Sequence, residues 1–172
     1  MGKDAFKANT TGAGGVAIGK GALQANTTAS YNVAIGNVAM LANTTGAENV
    51  AIGTESLTTN TTGSYNVAIG LNAMRLNTTA SNNTAVGNQA LEMNTTGASN
   101  TAFGQKALEA NTTASNNTAI GRLALENTTT GAQNTAIGAS AGGSITTGAY
   151  NQCIGYNAQP SGATVSNEFT LG

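Results

Sequence analysis

Large apolar residues recur at one phase of a 17-residue period along the chain. Ile18, Ile35, Ile52, Ile69, Val86, Phe103, Ile120, Ile137, Ile154 and Leu171 stand 17 apart, and a glycine follows each of them. One step earlier lies a column of small residues: Ala17, Ala34, Ala51, Ala68, Ala85, Ala102, Ala119 and Ala136, then Cys153 and Thr170. Three residues after each glycine comes Ala or Ser, usually followed by a larger apolar residue such as Leu23, Met40, Leu57 or Met74. The remainder is polar and rich in Asn and Thr, giving the unit Asn-(Val/Thr)-Ala-Ile-Gly-x-x-Ala-Leu-x-x-Asn-Thr-Thr-(Gly/Ala)-x-x. Self-similarity at a fixed period marks a repeat architecture. Residues 1–172 read as one array, with periods ending at Gly19, Gly36, Gly53, Gly70, Gly87, Gly104, Gly121, Gly138, Gly155 and Gly172.

Within a period the pattern changes from alternation to punctuation. Asn32-Val33-Ala34-Ile35 alternates, so Val33 and Ile35 share one face of a short strand and Ala34 takes the other. Gly36 ends that strand where a tight bend or a positive φ is wanted. In the arm Gly-x-x-Ala-Leu-x-x-Asn, a strand would send Ala and Leu to opposite faces. A short helical turn ending at Asn, or an irregular arm, turns both inward and is the favoured reading. Asn-Thr-Thr-Gly then forms the return corner. One strand per period predicts an all-β parallel solenoid, or β-roll, of ten coils. Identical residues stack into Ile, Asn and Thr ladders at about 4.8 Å per coil, a rod of roughly 48 Å. In this reading the Ile-type column is the structural core. The Ala column is a flat face on which identical chains approach, because two large apolar side chains per coil are little to offset the ordering of 17 residues. A homotrimer is the expected assembly.

Composition narrows the function. Only 8% of residues are charged and the net charge is −1, so no basic field exists to bind nucleic acid or an anionic membrane surface. There is no His and one Cys, Cys153, which leaves neither an internal disulfide nor a zinc cluster to build. The longest apolar run, Val38 to Ala42, is far short of the roughly 20 residues that span a bilayer. The N-terminus carries no basic-then-apolar leader. No catalytic constellation, cofactor or metal is expected, and the chain reads as a non-enzyme.

The pattern Asn-x-Ala-Ile-Gly-x-x-Ala resembles the head repeats of trimeric autotransporter adhesins, which are left-handed parallel β-rolls. The fuller unit, as in Asn94-Thr95-Thr96-Gly97-Ala98-Ser99-Asn100-Thr101-Ala102-Phe103-Gly104, is similar to repeat regions of phage tail-fibre proteins. The closing stretch from Tyr156 to Gly172 resembles the segment that leads toward a C-terminal intramolecular chaperone of the endosialidase type. The resemblance implies a virion protein, the shaft of a tail fibre or spike that spaces or displays a receptor-binding tip. Its partners would be two further copies, a downstream chaperone or tip domain, and a host surface glycan. Because the repeat starts in phase at Gly2 and no chaperone follows, the chain is expected to be an excised or processed shaft fragment. The alternatives are a bacterial cell-surface adhesin head and an ice-binding solenoid.

Several residues are candidates for chemistry on such a rod. Tyr31, Tyr65 and Tyr150 share a column and could stack on sugar rings as glycan contacts; a surface packing role is the plainer reading. Glu92, Glu109 and Glu126 align one coil apart, where stacked carboxylates could hold a cation such as Ca²⁺ or simply keep the edge solvated. Asn-Thr-Thr matches the glycosylation sequon at Asn9, Asn26, Asn43, Asn60, Asn77, Asn94 and Asn111, but reads first as a corner. The second Thr of each corner, from Thr11 and Thr28 to Thr147, forms the column that raises ice binding. Cys153 replaces Ala in the small column and reads as a packed thiol, three copies of which would converge near a trimer axis.

Overall fold

The computed structural model describes residues 2–172; Met1, the first residue of the expected array, lies outside them. Ten three-residue strands follow one another: β1 (Val16–Ile18), β2 (Val33–Ile35), β3 (Val50–Ile52), β4 (Val67–Ile69), β5 (Thr84–Val86), β6 (Thr101–Phe103), β7 (Thr118–Ile120), β8 (Thr135–Ile137), β9 (Gln152–Ile154) and β10 (Phe169–Leu171). They form a single parallel sheet in strict sequence order. Every pairing joins residues 17 apart, as in Val33 to Val50, Ala34 to Ala51 and Ile35 to Ile52. The chain is a β-solenoid with one strand per coil, and no helix occurs among the described residues. The glycine after each strand is obligatory. At Gly53, φ is +136°, and a Cβ there would stand 2.5 Å from the Gly70 carbonyl oxygen of the next coil.

The arm between strand and corner is irregular rather than helical. Its conformation alternates: φ is +51° at Val38 and +51° at Met40, while Ala39 between them is not left-handed. The alternation serves the backbone. The Val38 N–H donates to Lys20 of the preceding coil, Ala39 to Gly36 of its own coil, and Met40 to Ser56 of the following coil. Consecutive amides thus find partners below, within and above. It also turns Ala39 and Met40 inward together, and both are fully buried. Left-handed φ at non-glycine residues costs roughly 1–2 kcal/mol apiece, so the stacking hydrogen bonds must hold this arm in place. Asn43, where the arm was expected to end, does not have a positive φ.

A third left-handed column, at the exposed phase of Tyr31, Glu48 and Tyr65, makes the cost testable. Asn82, Asn116 and Asn167 occupy the same phase with similar φ. Asn tolerates this region better than Glu. Glu48→Asn should therefore stabilise the fold by about 0.5 kcal/mol, read as a small rise in melting temperature.

The interior is narrower than the sequence suggests, and it inverts the expected faces. Ala34, Ala51, Ala68, Ala85, Ala102, Ala119 and Ala136 are fully buried inside their own coils, and Ala17 nearly so. They pack in one continuous cluster with Ala22, Leu23, Ala39, Met40, Leu57, Met74, Leu91, Leu108 and Leu125. The Ile column points outward: Ile18, Phe103, Ile120, Ile137, Ile154 and Leu171 are exposed, and Ile35, Ile52, Ile69 and Val86 are half-exposed. The alternation within each strand holds as expected, but the core is the Leu/Met and Ala columns. The Ala column cannot be the face that meets another chain. Seventeen residues closed around a three-residue strand leave room for a Leu or Met from the arm, and opposite it only for a methyl group.

Candidate functional site

The polar side chains of the interior form two ladders. In the corner column, the Asn26 Nδ2–H group donates to Asn9 Oδ1 at 2.8 Å and to the Ala29 carbonyl at 3.0 Å. The same pair of bonds recurs up to Asn111, which donates to Asn94 Oδ1 and the Ala114 carbonyl. In the column before each strand, the Asn49 backbone N–H donates to Asn32 Oδ1 at 2.9 Å, while the Asn32 amide donates to the Gly46 carbonyl at 2.8 Å. This second ladder runs to Asn151, whose Oδ1 accepts from the Glu168 backbone N–H. Buried amides satisfied on both sides specify one register of stacking.

The corner ladder ends at coil eight for a sequence reason. There the Asn moves one place earlier, to exposed Asn127, and Thr128 occupies the ladder position. The Thr128 hydroxyl donates to the Ile145 carbonyl instead of down the ladder, which leaves Asn111 Oδ1 without a donor. One coil further on the core is repacked. Gly142 replaces the column Leu, and Ile145, from the corner phase, is fully buried in compensation. A Cβ at Gly142 would meet Leu125 Cδ2 at 2.7 Å and Ile145 Cδ1 at 3.3 Å. The ladder end gives a paired prediction. Asn77→Ala removes an amide bonded to Asn60 Oδ1 and the Ala80 carbonyl, and also the acceptor of Asn94. Asn111→Ala removes only the donor bonds, since its oxygen has no partner. Asn77→Ala should therefore cost about 1 kcal/mol more than Asn111→Ala in denaturant unfolding.

Side-chain contacts weigh against two candidate chemistries at the residues named for them. From Asn26 to Asn111 the sequon asparagines are buried with the side-chain nitrogen donating twice, so they cannot present that nitrogen to a glycan donor. Asn9 is half-exposed with its amide donating to the Gly12 carbonyl, and the exposed Asn127, which also heads an Asn-Thr-Thr, donates its amide to the Gly143 carbonyl. Two of the three aligned carboxylates, Glu92 and Glu109, are met by basic or amide partners. Glu92 receives Arg75 Nε at 2.8 Å on one oxygen and Gln89 Nε2 at 2.8 Å on the other. Glu109 receives Lys106 Nζ at 3.1 Å. Hydrogen bonding and the charge of Glu109 raise the Lys106 pKa against the smaller opposing effect of desolvation. Among the described residues no group of three or more His, Cys, Asp or Glu side chains is placed to hold a metal ion.

Tyr31, Tyr65 and Tyr150 project from one exposed column, each with φ +60°. Glu48 stands between the first two, and five periods separate Tyr65 from the third, so they form no continuous aromatic platform. Cys153 is buried in its own coil on the Ala column, and burial raises its thiol pKa. Three such thiols therefore do not converge between chains.

The Thr pair of each corner divides its labour. The Thr44 hydroxyl donates to the Thr61 carbonyl of the next coil at 3.0 Å, and Thr27, Thr61 and Thr78 repeat the bond. The second Thr faces solvent throughout, from Thr11 and Thr28 to Thr147, with Thr164 continuing the column.

What sequence reasoning missed is the outward sheet face. On it lie Val16, Val33, Val50 and Val67 beside the Ile column, then Thr84, Thr101, Thr118 and Thr135 in the next four coils. The signal was present in the side-chain sizes. The Ala column admits nothing larger than Thr, as an enclosed wall requires, whereas the Ile column accepts Val86 and Phe103 in adjacent coils. No protein-family model matches the chain, and no curated protein or solved structure is significantly similar to it.

Proposed function

We propose that this chain is a structural shaft segment of a viral tail fibre or spike, working as a homotrimer that spaces or displays a receptor-binding tip for host attachment. The observation that supports it is the unbroken register: ten strands pair at one spacing with no insertion, braced by two buried amide ladders. Such a rod transmits position and load through its stacked backbone. Stacked coils that contact only their neighbours add length in fixed increments, which is what a spacer needs. The side-chain pattern carries the comparison with tail-fibre repeats, and the exposed apolar sheet face supplies a surface for assembly.

The experiment separates a shaft from an adhesin head. Purified rod is incubated with glycan arrays, matrix proteins and host-cell surfaces. A shaft shows no saturable binding to any of them, whereas an adhesin head binds without a tip. The exposed column from Thr11 to Thr164 favours a second reading, ice binding, because hydroxyls repeat there at about 4.8 Å. Thermal hysteresis in a dilute solution of the rod, lost on Thr79→Lys, would replace the shaft reading with that one.

A further inference from the structure

We infer that rods pair antiparallel through the arm, across the core from the sheet, in one fixed register about a two-fold axis at Thr58 and Thr59. The inference goes beyond the shaft function and does not depend on how copies associate through the sheet. Between the buried Ala-Leu pair and the corner, each coil presents two residues outward. The second of them runs from Ala8, Ala25 and Ala42 through Thr59 to Leu76, Met93 and Ala110. Its first three alanines, with Lys7, Gln24 and Leu41 beside them, line an open groove of about 520 Å³. Leu76 and Met93 form a ridge further along the same column, and Met93 is 44% exposed. One stripe thus carries both a hollow and the ridge that fills it. Turning a second copy end for end about Thr59 seats Leu76 over Ala42 and Met93 over Ala25. Seven coils at about 4.8 Å, with a face some 10 Å wide, bury roughly 350 Å² per copy, a weak contact of the transient kind.

Charge selects the same register. Lys7 pairs with Asp4 at 3.4 Å in the first coil, and Lys106 with Glu109 at 3.1 Å in the seventh. The two pairs occupy the same two columns with opposite polarity, acid then base against base then acid. The end-for-end arrangement sets Asp4 against Lys106 and Lys7 against Glu109, closing four charges into a ring at each end of the contact. Gln24 then faces Glu92, and the Arg75 stem lies along Leu41. One like pair remains, because Glu55 meets its own copy near the axis. A parallel second copy would instead set Glu92 and Glu109 against themselves, ridge on ridge and hollow on hollow. Exposed ion pairs add little affinity, but they steer partners and fix their orientation. A second copy of this chain therefore matches the groove in both shape and charge.

Cross-linking of the full chain tests the pairing. Single-cysteine variants in a Cys153→Ala background are treated with a short bis-maleimide at high rod concentration and read on denaturing gels. Thr59→Cys alone should give covalent dimer as its main product, because the axis brings that residue to its own copy. Thr58→Cys, also at the axis, replaces it if losing the Thr59 hydroxyl bonds to the Arg75 and Asn77 carbonyls weakens the fold. Ala25→Cys and Met93→Cys should each stay monomeric alone, since like positions lie roughly 19 Å apart, and should link when mixed. Lys7→Glu should cut the Thr59→Cys dimer roughly fivefold, and adding Glu109→Lys should restore it. Glu55→Gln should raise the yield. Association through the sheet brings none of these side chains to a contact, so the trimer and this pairing fail separately. Ala25→Cys linking to itself as readily as to Met93→Cys overturns the antiparallel direction, and charge reversals without effect overturn the register. Thr113→Cys, at the corner, linking as well as Thr59→Cys overturns the contact as a specific one. No linked product from any variant overturns the pairing and leaves the groove to an occupant other than this chain.

Discussion

Leu91→Asp is expected to abolish the folded rod, while Ile69→Asp leaves the strand signal in place and changes only how chains associate. Leu91 is fully buried, with Met74 and Leu108 at the same phase in the adjoining coils. An unpaired carboxylate there has no cation in the core cluster, and such burial costs several kcal/mol. Even Leu91→Ala should cost about 2–5 kcal/mol, because the stacked coils cannot collapse around the lost volume. Ile69 carries a larger residue than the Ala68 beside it, yet its side chain is half-exposed and only Ala68 is enclosed. An outward Asp at that position should cost under about 1 kcal/mol within one chain. Circular dichroism melts separate the variants, and light scattering then reads the association that Ile69→Asp weakens. Equal melting temperatures for Leu91→Asp and Ile69→Asp would mean that the two columns are not differently buried.

The contrast shows which properties of this fold are written in the sequence. Period, strand position, parallel register and the Asn ladders were legible, because each depends on a residue type recurring at fixed spacing. The alternation of Val33, Ala34 and Ile35 correctly divided each strand into two faces. Which face turns inward was not settled by hydrophobicity, since the strand offers Ile on one side and Ala on the other. Volume decides it: the arm already delivers a Leu or Met to the interior, and the space left opposite fits a methyl group. The arm was harder still. A left-handed Leu23, Met40 or Leu57 violates local preference, and nothing short of the neighbouring coils' hydrogen bonds explains it. Long-range pairing overrode propensity there, while at Gly53 preference and pairing agree.

Register also sets the outcome of the most severe test, removing chain from the middle of the rod. Deleting Asn94 through Ala110 takes out one 17-residue period and joins Met93 to Asn111. The Asn111 amide then reaches Asn77 Oδ1, Asn117 N–H reaches Asn83 Oδ1, and β7 pairs with β5 as β6 did. The Lys106–Glu109 ion pair leaves as a unit, so no charge loses its partner. The shortened rod should fold, melt within a few degrees of the parent and lose about 4.8 Å of length. Deleting only Asn94 through Ala102 joins Met93 to Phe103 and places strand residues where a corner must be. Above that junction every Asn, Gly and Leu is half a period out of phase with the coil beneath it. The two halves can stack only within themselves, each with a raw end of unpaired backbone. This nine-residue deletion should split the unfolding transition in two or prevent folding, although it removes about half as much chain as the tolerated one. If the shorter deletion proved the milder of the two in a thermal melt, register would not be what holds the coils together.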